Sequence, residues 1–321
     1  MTFSCICGKV LLTFISGVFE VYMKKIDIKM SDISILVSAM LWGTVGIFSR
    51  KLSSLGFSST QTVAVRAFFT VLVMLIYILI TDAKAIKIKL RDVWMFIGTG
   101  ICSFMFFNVC YMNSIAENSL SVACILMYTS PFWVCLLSYF FFKDKITVFG
   151  FLSLCVCFAG CVMVCGSSSI HITKMGLIYG ILSGFGYALY SIFGKVASKC
   201  YPSKTVIFYT FLFALIGILP FCRAPELVTL LRDGEGMLYS FGMALVNTIL
   251  PYILYTYGLS KTSAGKASVI SIIEPIAAAL VGLIAFKEKI GLIGICGMAL
   301  VVIGLAFYEK SGKKKLTDRQ L

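Results

Sequence analysis

Long apolar runs alternate with short polar connectors along this chain. The runs approach twenty residues and carry no charged face, so none reads as an amphipathic surface helix or as a half-buried strand. At about 1.5 Å per residue, each is long enough to cross a hydrocarbon core of ~30 Å. The pattern predicts ten spans, at about 33–49, 61–81, 92–112, 119–141, 147–166, 176–196, 205–222, 237–258, 264–286 and 290–308. Connectors this short suit antiparallel neighbours in a helical bundle. The fold class is all-α integral membrane protein.

Residues 1–30 stand outside the pattern. Val10 to Val21 is apolar but too short to span, Glu20 interrupts it, and no small-residue cleavage site follows. The segment is expected to be a non-spanning extension, or to precede a true start at Met23 or Met30.

The polar connectors reveal a repeat. Phe142-Lys143-Asp144-Lys145-Ile146 and Phe286-Lys287-Glu288-Lys289-Ile290 are near-copies 144 residues apart, and the same offset pairs Pro131 with Pro275, Gly150 with Gly294 and Gly160 with Gly304. The domains are therefore a first five-helix unit, 31–170, a second, 171–310, and a basic tail, 311–321. Five is odd, so the second unit enters the membrane inverted. Inverted repeats give a pseudo-two-fold axis in the membrane plane and place a site at mid-depth between the copies, which is the architecture of alternating access.

Charge sets the orientation. The formal net charge is +14, and Lys and Arg number 19 on one side of the predicted topology against 7 on the other. The richer side carries both termini, which the positive-inside rule puts in the cytoplasm of a cell (inner) membrane. No basic patch is interleaved with exposed aromatics, so nucleic acid is not an expected partner. The 13 cysteines lie mostly within apolar runs and act as small fillers. Cys157, Cys161 and Cys165 form an i, i+4, i+8 stripe that could suit a soft metal. The second copy has Val301, Leu305 and Glu309 there, and packing is the better reading. No cofactor or metal is expected.

The run Ser271-Ile272-Ile273-Glu274-Pro275-Ile276 through Phe286-Lys287-Glu288-Lys289-Ile290 to Gly294 and Gly304 resembles the EamA-type branch of the drug/metabolite transporter superfamily. Tyr128-Thr129-Ser130-Pro131 through Phe142-Lys143-Asp144-Lys145 to Gly150 and Gly160 fits it in the first copy, and the resemblance covers about 31–310. It implies ten transmembrane helices in two inverted-topology five-helix repeats around a central cavity, with the fifth and tenth helices peripheral. It also implies export or exchange of small metabolites, often amino acids, and of some drugs. The shared motifs lie in the scaffold and do not name the cargo. The copies differ at one telling place, where Ser130 stands against Glu274.

Glu274 is the sharpest candidate for chemistry. A carboxyl at mid-depth must be paired, protonated or wet, and Pro275 beside it loosens the helix. It could couple a proton or bind an ammonium group, or simply bond a neighbouring helix. Arg66 could take a substrate carboxylate or snorkel to the interface. Pro131 and Pro275 are candidate hinges; Pro251 has Phe107 at its matched position. Asn108 and Tyr111 share a helix face, and the 144 offset maps them onto Tyr252 and Tyr255. Trp42 maps onto Tyr187 at an offset of 145, and Tyr190 follows on the same face. With Tyr128 and Asn247 these polar-tipped residues form a candidate cavity wall able to stack on a ring or a cation, against a plainer reading as core and interface belt. Gly176, Gly180 and Gly184 read as helix packing, Trp94 as belt, and the lone His171 as incidental.

The favoured function is a secondary transporter of small organic solutes, an exporter or exchanger. There is no Walker-type loop, so ATP is not the direct source of energy. A membrane enzyme needs a nucleophile, metal or His–carboxylate constellation, which one histidine and no HExxH do not supply. A non-transporting sensor or scaffold needs no polar site at mid-depth. The expected partners are a small-molecule solute and the lipid bilayer, with a homodimer left open.

Overall fold

The computed structural model describes residues 29–144, 147–166 and 172–317, with side chains to 308. Residues 1–28 of the N-terminal extension, Lys145, Ile146, residues 167–170, His171 and the end of the basic tail lie outside the described residues. The spans are α1 (Met30–Ser54), α2 (Ser59–Ile86), α3 (Leu90–Glu117), α4 (Leu120–Phe142) and α5 (Val148–Cys165). Then come α6 (Lys174–Ala197), α7 (Ser203–Phe221), α8 (Gly234–Lys261), α9 (Ala264–Ala285) and α10 (Leu292–Thr317). The first nine are long and apolar enough to cross a membrane, and the tenth carries a shorter apolar part, Leu292–Tyr308. No strand is present among the described residues.

Two differences from the sequence pattern have physical reasons. Helices α1 and α8 run on past their apolar stretches, because Arg50, Lys51 and Glu235 stay helical while their charges reach the surface. A short amphipathic helix, Ala224–Arg232, fills the connector before α8; Pro225 sits in its first turn and Leu227 is its buried anchor.

The main helix pairings of the two copies correspond. Helix α1 packs on α8 and α9, as α6 packs on α3 and α4; α2 packs on α7, and α5 on α10. Swapping the copies leaves that pattern unchanged. The α5–α10 seam makes it visible at atomic scale. A Cβ on Gly160 would lie 2.7 Å from the Gly297 carbonyl, and one on Gly304 would lie 3.1 Å from that of Ser153, the counterpart of Gly297. Between them Cys157 Sγ donates to the carbonyl of Val301, its own counterpart, at 3.6 Å. Lipid tails are as apolar as the helices, so small residues that admit close backbone approach hold such a seam.

The near-copies that reveal the repeat are helix caps. Lys143 and Lys287 have φ of 55° and 56°, the left-handed conformation that ends a helix. The N–H of Asp144 then reaches the Ser138 carbonyl at 3.3 Å, and that of Glu288 reaches its counterpart on Gly282 at 3.0 Å. At the other ends Ser119 and Ser263 cap α4 and α9 through Val122 N and Lys266 N.

Candidate functional site

Five helices depart from regular α geometry at the centre. Helix α1 is interrupted at Thr44. Helix α4 breaks at Tyr128 and Thr129, and α9 tightens to a 3₁₀ turn over Ser271–Ile273. In both, the second half starts afresh with proline in its first turn, Pro131 or Pro275. Helices α3 and α8 carry π-type stretches at Gly98–Met105 and Leu245–Ile249, whose last residues match at the 144 offset; such bulges recur at functional sites. Ser103 donates from one to the Gly186 carbonyl of α6, and Asn247 donates from the other to the Leu41 carbonyl of α1, each at 2.7 Å. These bonds are symmetry mates, and they tie each bulge to the helix that carries the aromatic face.

Between the tied helices sits a cluster of rings. Trp42 lies 5.3 Å from Tyr252, 5.2 Å from Tyr255 and 6.2 Å from Tyr187, and Tyr190 lies 5.0 Å from Tyr252. Phe104 and Phe107 complete the wall. The rings leave a cavity of only ≈ 10 Å³, at the lower bound for one water. Two of the hydroxyls are engaged: Tyr190 Oη is 2.7 Å from Thr256 Oγ1, and Tyr255 Oη is 2.7 Å from Ser191 Oγ.

Two charged residues flank the cluster. Tyr187 Oη donates to Glu274 Oε2 at 3.3 Å, and Glu274 is the first residue of the second half of α9. Arg66 Nε donates to Thr248 Oγ1 in the α8 bulge at 3.1 Å, and its guanidinium lies 5.5 Å from the Phe104 ring. Among the described residues Arg66 and Glu274 form no ion pair, with each other or with any other group. Each nevertheless lies within range of the other's charge. One chain of contacts joins them: Glu274, Tyr187, Trp42, Tyr252, Phe104, Arg66.

The structure thus gathers Trp42, Tyr187, Tyr190, Tyr252 and Tyr255 around one space, with Glu274 and Arg66 at its margins. It places four other candidates elsewhere. Asn108 Nδ2 bonds the Phe104 carbonyl of its own helix at 2.7 Å. Asn247 spends Nδ2 on Leu41 O and Thr44 Oγ1 and so holds the α1 break. Tyr111 Oη lies 2.8 Å from Cys124 Sγ, and Tyr128 belongs to the second core cluster, between α4, α5, α9 and α10. Ser103, Phe104, Phe107 and Thr248 also belong to the site, and their one signal in the sequence is the 144 offset, which maps Ser103 onto Asn247 and Phe104 onto Thr248. Gly180 and Gly184 let α6 approach Leu126 and Thr129 of α4, and Trp94 is half exposed against Phe193. Among the described residues no group of three His, Cys, Asp or Glu could hold a metal ion.

The chain is similar over its length to other membrane proteins. An uncharacterized transporter of Archaeoglobus fulgidus is 27% identical over 275 residues, covering 85% of this chain and 94% of the relative. The uncharacterized transporter YxxF of Bacillus subtilis is 25% identical, covering 89% and 92%. A crystal structure of a protein 14% identical superposes with a TM-score of 0.71 over 86% of this chain and 95% of that one, so the fold is shared. The model of the EamA-like transporter family matches twice, at residues 29–166 and 174–308, once on each copy of the five-helix unit. With both halves matched, this chain is a multi-pass membrane transporter that belongs to the EamA-like transporter family.

Proposed function

We propose that the chain is a secondary transporter, an exporter or exchanger, for small organic solutes that carry an ammonium and a carboxylate group, and that it works by alternating access in the cell membrane with both termini in the cytoplasm. The observation that carries this reading is the separation of Arg66 and Glu274 at the two ends of one chain of aromatic contacts. Two opposite charges left apart in a low-dielectric centre are costly, and a zwitterion between them answers both. The ammonium would lie against Glu274 and the faces of Trp42 and Tyr187. The carboxylate would meet the free edge of Arg66. A cavity of ≈ 10 Å³ holds no such solute, so the rings part on loading. The breaks beside Pro131 and Pro275 are where helices can bend to allow it.

Counterflow in proteoliposomes tests the reading. A panel of zwitterionic, cationic, anionic and neutral solutes is expected to exchange in the zwitterionic class. Arg66→Lys keeps the charge but loses the guanidinium's contact with the Phe104 ring and the Nε bond to Thr248. It should raise KM for zwitterions by about tenfold, with less effect on solutes that lack a carboxylate. Folded protein that exchanges none of the four classes, or neutral solutes alone, overturns the proposal.

A further inference from the structure

Arg50 near the end of α1 and Lys195 near the end of α6 are counterparts at the 145 offset that relates those helices. In the structure they make opposite choices. Helices α1, α8 and α9 form one packed group, and α6, α3 and α4 form the other. Arg50 stays within its own group: its guanidinium pairs with Glu288 Oε1 at 2.7 Å and lies 4.1 Å from the Phe286 ring, both in the cap that ends α9. Lys195 crosses to the other group. Its Nζ donates to the carbonyls of Leu259, Ser260 and Thr262 at 2.7, 3.2 and 2.5 Å, where α8 ends. The last carbonyls of a helix lack partners and carry partial negative charge, so an ammonium is well held there.

Each unused partner is present. Asp144 is the counterpart of Glu288; its charge acts on Lys195, yet among the described residues it forms no ion pair. The counterparts of the α8 carbonyls are those of Ile115, Ala116 and Asn118 at the end of α3, and Arg50 does not reach them. The flanking contacts follow the same asymmetry. Tyr190–Thr256 and Ser191–Tyr255 join α6 to α8. The mate of Ser191 is Gly46, where a Cβ would meet nothing within 4 Å, and the mate of Tyr255 is Tyr111, which turns to Cys124. One end of the molecule is latched, and the matching end is parted.

We propose that Arg50 and Lys195 are the two latches of the transport cycle, each alternating between the carboxylate of its own group's cap and the helix-end carbonyls of the other group, with only one of them across at a time. The proposal rests on the alternating-access reading above and gives that cycle its closing contacts. The opposite state has Arg50 on the α3 carbonyls and Lys195 on Asp144. The Arg50–Glu288 pair is half exposed on both sides, hence weak and readily exchanged.

Electron–electron distance measurements in lipid nanodiscs test it, with the reactive native cysteines replaced by serine. Spin labels at positions 199 and 261 report the latched end, and labels at their counterparts 54 and 117 report the parted end. Lys195→Met should lengthen the 199–261 distance and shorten the 54–117 distance, with the ratio of states moving about tenfold for the loss of a charge-assisted anchor. Glu288→Gln, which frees Arg50 without touching Lys195, should move both distances in the same directions and covers the case in which Lys195→Met fails to fold. The proposal is overturned if neither distance moves, or if 199–261 lengthens while 54–117 stays long. The distances are read without substrate, so this outcome is distinguishable from a failure of the flux assay.

Discussion

Glu274 occupies the place that Ser130 holds in the first copy, and that difference breaks the symmetry where chemistry is expected. Ser130 and Glu274 each begin the second half of a broken helix, one residue before a proline. The scaffold is duplicated and the carboxyl is not. Glu274→Gln keeps the shape and the bond from Tyr187 but cannot take up or release a proton. It should weaken exchange, since the ammonium loses its carboxylate, and the exchange that remains should not depend on pH, as read by counterflow at several pH values; full pH dependence in that variant would exclude this carboxyl as the coupling group. Legibility at this scale was partial. Charged and aromatic residues at mid-span, Arg66, Glu274, Trp42 and the matched tyrosines, stand out because such residues are expensive or rare there. Asn108 and Asn247 look the same in the sequence, yet each turns its amide nitrogen to a backbone carbonyl, Phe104 O or Leu41 O. Which way an amide turns depends on the bulge beneath it, and hydropathy does not encode a bulge.

At the scale of elements, the most repeated stretch turned out to be structural punctuation. Lysine at a left-handed cap is unusual, because its Cβ crowds the backbone and glycine avoids the cost. Lys143→Gly or Lys287→Gly should therefore raise stability by about 1 kcal/mol, read as a higher thermal midpoint in detergent; a fall would mean that the lysine side chain supplies more than the turn. The glycines at the α5–α10 seam predict the reverse. Gly160→Leu places a side chain against the Gly297 carbonyl and Val301, and overpacking of this kind costs about 1–3 kcal/mol. The ten spans were legible because a bilayer demands a length and an apolar composition. The helix Ala224–Arg232 was not, since a nine-residue amphipathic segment between two spans resembles a connector. Nor were the π-type stretches, where an extra residue in a turn leaves the apolar pattern intact.

At the scale of the whole molecule, the inversion follows from counting: five spans per copy, so the cap after α4 and the cap after α9 face opposite ways. The contact pattern agrees with a two-fold relation down to single bonds, as with Ser103–Gly186 and Asn247–Leu41. What relates the protein to the cell is the absolute orientation, and here charge carries the expectation. The side with Lys84, Lys87, Lys89, Lys199 and Lys261 should face the cytoplasm. A single cysteine at exposed position 261, in an otherwise unreactive background, should then resist a membrane-impermeant thiol reagent added to intact cells. One at exposed position 117, its counterpart, should react. Both labels should swap in inside-out vesicles. If positions 117 and 261 label from the same side, the two copies are not inverted. If they label from opposite sides but in the reverse sense, the inversion stands and the latch at Lys195 faces outward, so that the captured state opens to the cytoplasm.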